Sequence, residues 1–355
     1  MLMSDYVTLN SFSGHYFTSD VPDIRNAVSS TAVKAEVKVT DTATSDIYFQ
    51  EVLWPVNGYI TLTDIGQLLE PFARNRLVIP IQVSIRQLNS SDTAVSTATA
   101  QATILFSLCD VGMSASEFYG SRFLTILEGP KVTALGRLEY LHYYGSGSAS
   151  CLATYSDGTT YTFTPQSVAG NSSYTTIDVS PSKFVRTGKT LVSYRVTAGQ
   201  RVQQFQMDLR NPDCAPILIF DNSFGVQELL YCTGTHKVDP SYERKQARIG
   251  RDLRNYAIRE TRLFHADTGI LTPSMALWAE ELFRSQEVYV VNIVNGFANV
   301  GKEVVITDSK SEITNDDDFL PSHTFSYQYA QRIHNVMQPA RAGRIFDNTF
   351  DETFN

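Results

Sequence analysis

Apolar and polar residues alternate over long stretches of this chain, beginning with Val33, Ala35, Val37 and Val39 set between Lys34, Glu36, Lys38 and Thr40. A period of two marks a strand with one buried face. Ile79, Ile81, Val83 and Ile85 repeat the pattern, and residues 100–108 add another strand. The apolar run 47–54 is followed by Pro55-Val56-Asn57-Gly58 and then by Tyr59-Ile60-Thr61-Leu62. Asn-Gly supplies the positive φ angles of a tight turn, so the two runs are predicted to pair as a hairpin. Asp64 is an N-cap candidate for a short helix ending near Arg74, and residues 114–119 read as a helical turn.

A second run of strands begins near Gly129-Pro130. Residues 138–144 are strand-like, Gly145-Ser146-Gly147-Ser148 is a connection, and residues 152–155 and 161–163 flank the hairpin signal Asp157-Gly158. Val192, Tyr194 and Val196 face a turn at Ala198-Gly199-Gln200, beyond which come Phe205, Met207 and Leu209. A third region opens on Ile217-Leu218-Ile219-Phe220 and holds the clearest helix, with Thr272 as N-cap and Pro273 in the first turn, running to about Ser285. Met275, Trp278 and Leu282 share one helix face, and Glu280 and Glu281 are expected on the solvent side. Strands follow over 288–294, 303–307 and 324–330, the last with Phe325, Tyr327 and Tyr329 on one face for a helix to cover. The pattern predicts a mainly β fold of β-sandwich-like units with a few short helices. Its parts are an N-terminal β domain (1–128), a second β domain (129–212), an α+β C-terminal domain (213–338) and a tail (339–355).

Composition narrows the function classes. At 355 residues the chain is long for one domain, and 43% hydrophobic against 19% charged residues is enough apolar content for real cores. A net charge of −8 opposes broad nucleic-acid binding. No apolar run is long enough to span a bilayer as a helix, and no basic-then-apolar leader opens the sequence. Cys109, Cys151, Cys214 and Cys232 are too scattered for a zinc site or a disulfide framework and read as buried thiols.

The candidate chemistry is sparse. Gly145-Ser146-Gly147-Ser148-Ala149, with His142 nearby, approaches a nucleophile elbow but lacks its last glycine and a following helix. The six histidines form no helical ligand pair, and Glu312 with Asn315-Asp316-Asp317-Asp318 lacks the spacing of a calcium loop. Tyr140, Tyr143 and Tyr144 could serve as a sugar-stacking platform or as an aromatic core strand. No catalytic, metal or cofactor residue is assigned, and the chain is expected not to be an enzyme.

Two segments stand out instead. Between residues 244 and 262, Arg244, Lys245, Arg248, Arg251, Arg254, Arg259 and Arg262 face only Asp252 and Glu260. This is either an exposed, solvated β ribbon or a docking surface for an acidic partner. Near the end, Phe346, Phe350 and Phe354 recur every fourth residue among Asp347, Asp351 and Glu352. That tail would fold back on its own domain, dock on a neighbour or stay unstructured. Arg244, Lys245, Arg248, Arg251, Arg254, Phe346, Phe350 and Phe354 are therefore the candidate protein–protein interface.

The stretch Ile217-Leu218-Ile219-Phe220-Asp221-Asn222-Ser223-Phe224-Gly225-Val226-Gln227-Glu228 resembles a segment of structural proteins from Bacteroidetes phages and prophages. So do Val304-Val305-Ile306-Thr307-Asp308, with the acidic loop and aromatic strand to Ala330, and Arg344-Ile345-Phe346-Asp347-Asn348-Thr349-Phe350. The likeness covers about the last 140 residues. It implies a virion component of the tail or baseplate, made in the host cytoplasm, that forms symmetric oligomers with itself and binds other virion proteins. The competing expectation is a bacterial cell-surface or carbohydrate-binding β-sandwich protein.

Overall fold

The structure, a computed structural model, describes residues 6–170, 173–249, 251–311 and 320–331. The fold is mainly β, its strands gathered into several sheets drawn from three successive stretches of the chain.

The first set holds β1 (His15–Phe17), β2 (Ile24–Ala27), β3 (Lys34–Asp41), β4 (Ile47–Leu53), β5 (Tyr59–Leu62), β6 (Val78–Leu88) and β7 (Ala94–Leu105). A five-stranded sheet runs β1-β7-β6-β3-β4, and β2 pairs with β5 in a separate two-stranded sheet. The alternation of β3 is realised, with Ala35, Val37 and Val39 buried. Helix α1 (Ile65–Arg76) and helix α2 (Ala115–Ser121) contribute Leu69, Ala73 and Phe118 to the same core. Ser114 caps α2, its hydroxyl accepting from Glu117 N–H at 3.2 Å.

The expected hairpin across Asn57-Gly58 is corrected. The turn forms, with φ of 52° and 79° at those residues and Val56 and Tyr59 bonded to each other. But among the described residues β4 pairs with β3 alone, while β5 turns away to β2. Pro55 has no N–H to offer a ladder at the point where the strands would have to meet.

The second set comprises β8 (Lys131–Thr133), β9 (Tyr140–Tyr144), β10 (Ser150–Tyr155), β11 (Thr160–Phe163), β12 (Gln166–Gly170), β13 (Tyr174–Asp178), β14 (Leu191–Ala198) and β15 (Arg201–Met207). A five-stranded sheet, β11-β10-β14-β15-β8, faces a three-stranded one, β12-β13-β9. Tyr143 and Ile177 from one layer meet Cys151, Tyr194 and Phe205 from the other. Arg201, buried, sends its guanidinium to the carbonyl oxygens of Tyr119, Arg122, Tyr144 and Ala198 and so stitches this sandwich to the end of α2.

The third set comprises β16 (Ile217–Asp221), β17 (Gln227–Tyr231), β18 (His236–Ile249), β19 (Asp252–Asp267), β20 (Val288–Val294), β21 (Phe297–Ser311) and β22 (His323–Tyr329). They form one seven-stranded sheet in the order β17-β16-β20-β21-β22-β19-β18. Two short helices, α3 (Pro273–Ala279) and α4 (Glu281–Arg284), cover one face and bury Phe325 and Tyr327. The single helix expected to Ser285 is interrupted at Glu280. Thr272 caps its start as expected, accepting from Met275 N–H at 3.3 Å. The opposite sheet face buries Ile219, Leu229 and Val291 against Leu138, and Tyr231 Oη donates to Leu138 O at 2.8 Å.

His142 on β9 binds the second and third sets together. Its Nε2 lies 3.0 Å from Gln227 O, which can only accept, so Nε2 carries the proton and Nδ1 accepts from Thr176 Oγ1 at 2.8 Å. Burial holds its pKa down to about 4 from an ordinary 6.5. The folded state therefore binds fewer protons than the unfolded state in that window. The stabilisation is complete above the unfolded value and lost as pH falls toward the folded one, by roughly 3 kcal/mol. Urea unfolding at pH 7.5 and 4.5 should show this drop, and His142→Gln should remove this share of it, leaving that of His236, whose pKa burial likewise holds down to about 4.

Candidate functional site

The basic segment lies on the hairpin of β18 and β19, paired from His236↔Ala266 to Ile249↔Asp252. Among the described residues, a third strand supports this hairpin only at its root, where β22 pairs with Phe264–Asp267. There the chain builds an aromatic anchor. His236 stacks on Phe264 and Tyr327 with centroids 6.0 and 5.9 Å apart, and its Nε2 is 2.8 Å from Tyr327 Oη. Tyr329 meets Phe264 edge-on at 5.0 Å.

Beyond the anchor, among the described residues, neither face of the hairpin enters one of the cores. Arg244, Lys245, Arg248, Arg251 and Arg254 are all exposed, as is Arg259. At about 3.3 Å per residue, the eleven residues of β18 from Asp239 onward form an arm roughly 35 Å long. The register sets Lys245 opposite Ala257 and Ala247 opposite Arg254, with Arg244 opposite Ile258 and Arg248 opposite Leu253. Side chains alternate along a strand, so cations project from both faces of the arm. Among the described residues the arm's ion pair is Arg262 with Glu260, near the root. Tyr256 and Ile258 add large exposed apolar surface between the cations.

A free two-stranded ribbon gains little stability from itself. Cations on both faces, with apolar side chains between, make a surface suited to an acidic, partly apolar protein partner. Of the interface residues singled out in the sequence, the structure brings together Arg244, Lys245, Arg248, Arg251 and Arg254. Phe346, Phe350 and Phe354 lie outside the described residues, as does the acidic loop at Glu312 and 315–318.

The other candidates resolve into structural roles. Tyr143 and Tyr144 are buried in cores and offer no exposed platform for a sugar. Both ring nitrogens of His142 are occupied by Thr176 and Gln227, so it does not serve the neighbouring glycine–serine connection. Cys151 and Cys232 are buried free thiols, and burial pushes Cys151 up to about 12. Glu281 is the clearest correction. The sequence reading puts it on the solvent side, but it is buried, three residues after Trp278 and so beside it on the covered helix face.

Glu281 marks a feature that sequence reasoning missed. Its two carboxylate oxygens accept from Ser223 N–H at 2.8 Å and Ser223 Oγ at 2.6 Å. They hold the turn between β16 and β17, Asn222-Ser223-Phe224-Gly225. Asn222 Oδ1 accepts from Phe224 N–H at 2.9 Å, and Asn222 Nδ2 donates to Leu124 O at 2.8 Å. Gly225 adopts φ +71°, and a Cβ there would lie 2.9 Å from the Phe106 ring. The turn thus drives Phe224 into the core of the first set, between Phe118 and Phe17. A cleft of about 290 Å³ beside it is lined by Cys109, Arg122, Gln203, Phe224, Glu281 and Arg284 among others. Burial raises the Cys109 thiol, which makes it a weak nucleophile there. The Asn-Ser-Phe-Gly run was the available signal, since it combines turn chemistry with an unpaired apolar residue.

No protein-family profile matches the chain, and no curated protein is significantly similar to it.

Proposed function

We propose that this chain is a non-enzymatic structural subunit of a virion, a tail or baseplate component that assembles with itself into a symmetric oligomer and with other virion proteins. One observation supports this reading above the others: the β18–β19 arm, some ten residue pairs long, which leaves the sheet with cations on both faces. An arm of this kind gains a second layer when another subunit covers it, and closed symmetry lets each subunit give and receive the same contact. The likeness of the last 140 or so residues to phage structural proteins points the same way. The Asn222–Gly225 turn lies inside one of those similar stretches, where it supplies rigidity between sheets rather than chemistry.

The test is the mass of the full-length protein in solution, alone and after reversal of the arm's charge. Light scattering at low salt should show an oligomer. Arg244→Glu, Arg248→Glu and Arg254→Glu together should weaken its association by about tenfold or more, while circular dichroism stays unchanged because all three side chains are exposed. A protein that stays monomeric at high concentration, or whose assembly ignores the reversal, would remove the basis of this reading.

A further inference from the structure

The register of the seven-stranded sheet leaves a strand-wide position between two projecting hairpins. Strand β22 lies between β21 and β19 and runs antiparallel to both, so those two run in the same direction. Tyr329, the last residue of β22, sits opposite Val304, and β21 extends past that level for seven more residues, back to Phe297. On the other flank Phe264 faces Tyr327, and β19 extends twelve residues past it, back to Asp252. Strands β20 and β18 accompany these extensions only on their outer sides.

Two spacings of about 4.8 Å separate β21 from β19, the width needed for one strand bonded to both. Among the described residues, no strand lies there beyond Tyr329. Ala330 N–H still donates to Glu303 O at 3.0 Å, after which the backbone bends at Ala330 and Gln331. Facing strand edges with obligatory donors and acceptors are a template for an added strand.

We propose that this position receives an extended strand, residues 344–355, from a second copy of the chain. The sequence fits it in pattern and in charge. In extended form Phe346, Phe350 and Phe354 share one face, while Asp347 and Asp351 fall on the other. The flanks present exposed apolar side chains, Phe297 and Val300 from the two faces of β21 and Ile258 from β19, so the rings meet apolar surface beside them. Arg254 and Arg259 stand on the arm to meet the carboxylates.

Charge suits the tail to the arm. The segment holds Arg344 against Asp347, Asp351 and Glu352, while the arm from Asp239 holds seven cations against four carboxylates on a chain of net charge −8. Bodies of that charge repel one another, and pairing tail with arm converts the contact into attraction. The assignment of the donor to a second copy rests on the assembly reading above.

Full-length protein, a Phe346→Asp/Phe350→Asp/Phe354→Asp variant and an Ile258→Asp/Phe297→Asp variant are compared by light scattering and amide hydrogen exchange. The expected result is an oligomer with protected amides over 253–263 and 297–303, and loss of both oligomer and protection in each variant. A synthetic peptide of residues 344–355 should bind the triple variant at least about tenfold more tightly than it binds the Ile258→Asp/Phe297→Asp variant. An oligomer of unchanged mass in both variants overturns this inference and leaves the assembly reading standing. A monomer with the same amides protected overturns the exchange, since the strand then comes from its own chain. A monomer without protection overturns both.

Discussion

Replacing Trp278 with alanine is expected to cost about 3–5 kcal/mol of stability, as large aromatic truncations in a closed core do. Trp278 is 1% exposed and occupies the centre of the core between α3 and the seven-stranded sheet, beside Phe220, Met275 and Val290. The indole also has a polar task. Its Nε1 donates to Glu228 Oε2 at 2.5 Å, and its ring lies 4.5 Å from Lys131 Nζ. Burial raises the pKa of Glu228, so that carboxylate depends on its few donors. Removing the indole leaves a cavity and an under-bonded acid together, and the second adds about 1–3 kcal/mol. Trp278→Phe separates the two effects, since it keeps most of the volume and removes only the N–H. Urea midpoints of the three proteins provide the measurement. A loss below about 2 kcal/mol for Trp278→Ala would show that the helix pair collapses into the space.

The strands that could be read from the sequence are those whose buried face is set by local alternation. Val37 and Val83 declare their direction two residues at a time, and Asp157-Gly158 closes its hairpin with only its immediate neighbours. Pairing between distant strands has no such local mark. The run from Tyr59 to Leu62 looks like the second half of a hairpin, yet its partner is β2, some thirty-five residues earlier. Strands such as β12, exposed along its whole length, lack the apolar signal altogether. The same logic divides the candidate site. Clustered arginines on a polar ribbon are visible in one dimension, because nothing else in the fold is needed to keep them exposed. The strand-wide position between β19 and β21 is not visible, because it arises from where three strands end relative to one another. Glu281 escapes a sequence reading for a related reason: the partner that buries and satisfies it sits on a turn nearly sixty residues away.

That turn supports the second large prediction. Phe224→Ala should cost about 3–5 kcal/mol and split a cooperative unfolding transition in two. Phe224 is fully buried, but the core it enters is not that of its own sheet. Its ring packs 4.9 Å from Phe118 and 6.4 Å from Phe17, with Leu77 and Phe106 meeting the adjacent Gly225. Its backbone is meanwhile fixed from the other side by Asn222, and the preceding Ser223 by Glu281. The residue is therefore a peg between two cores, and its contribution is both local packing and coupling. Truncation removes the peg while Leu108 N–H still reaches Ser223 O at 2.8 Å, so the sheets remain tethered as they loosen. Calorimetry should resolve a lower-melting transition for the first set of strands, followed by the rest. Phe224→Leu, which refills most of the volume, should restore a single transition at intermediate stability. Glu281→Gln provides the matching test from the opposite side: it keeps an acceptor for Ser223 but loses the charge, and should weaken the coupling by about 1–2 kcal/mol without opening a cavity. If Phe224→Ala melts in one step with a full loss of stability, the cores are coupled through Arg201 and His142 instead, and the peg is packing alone.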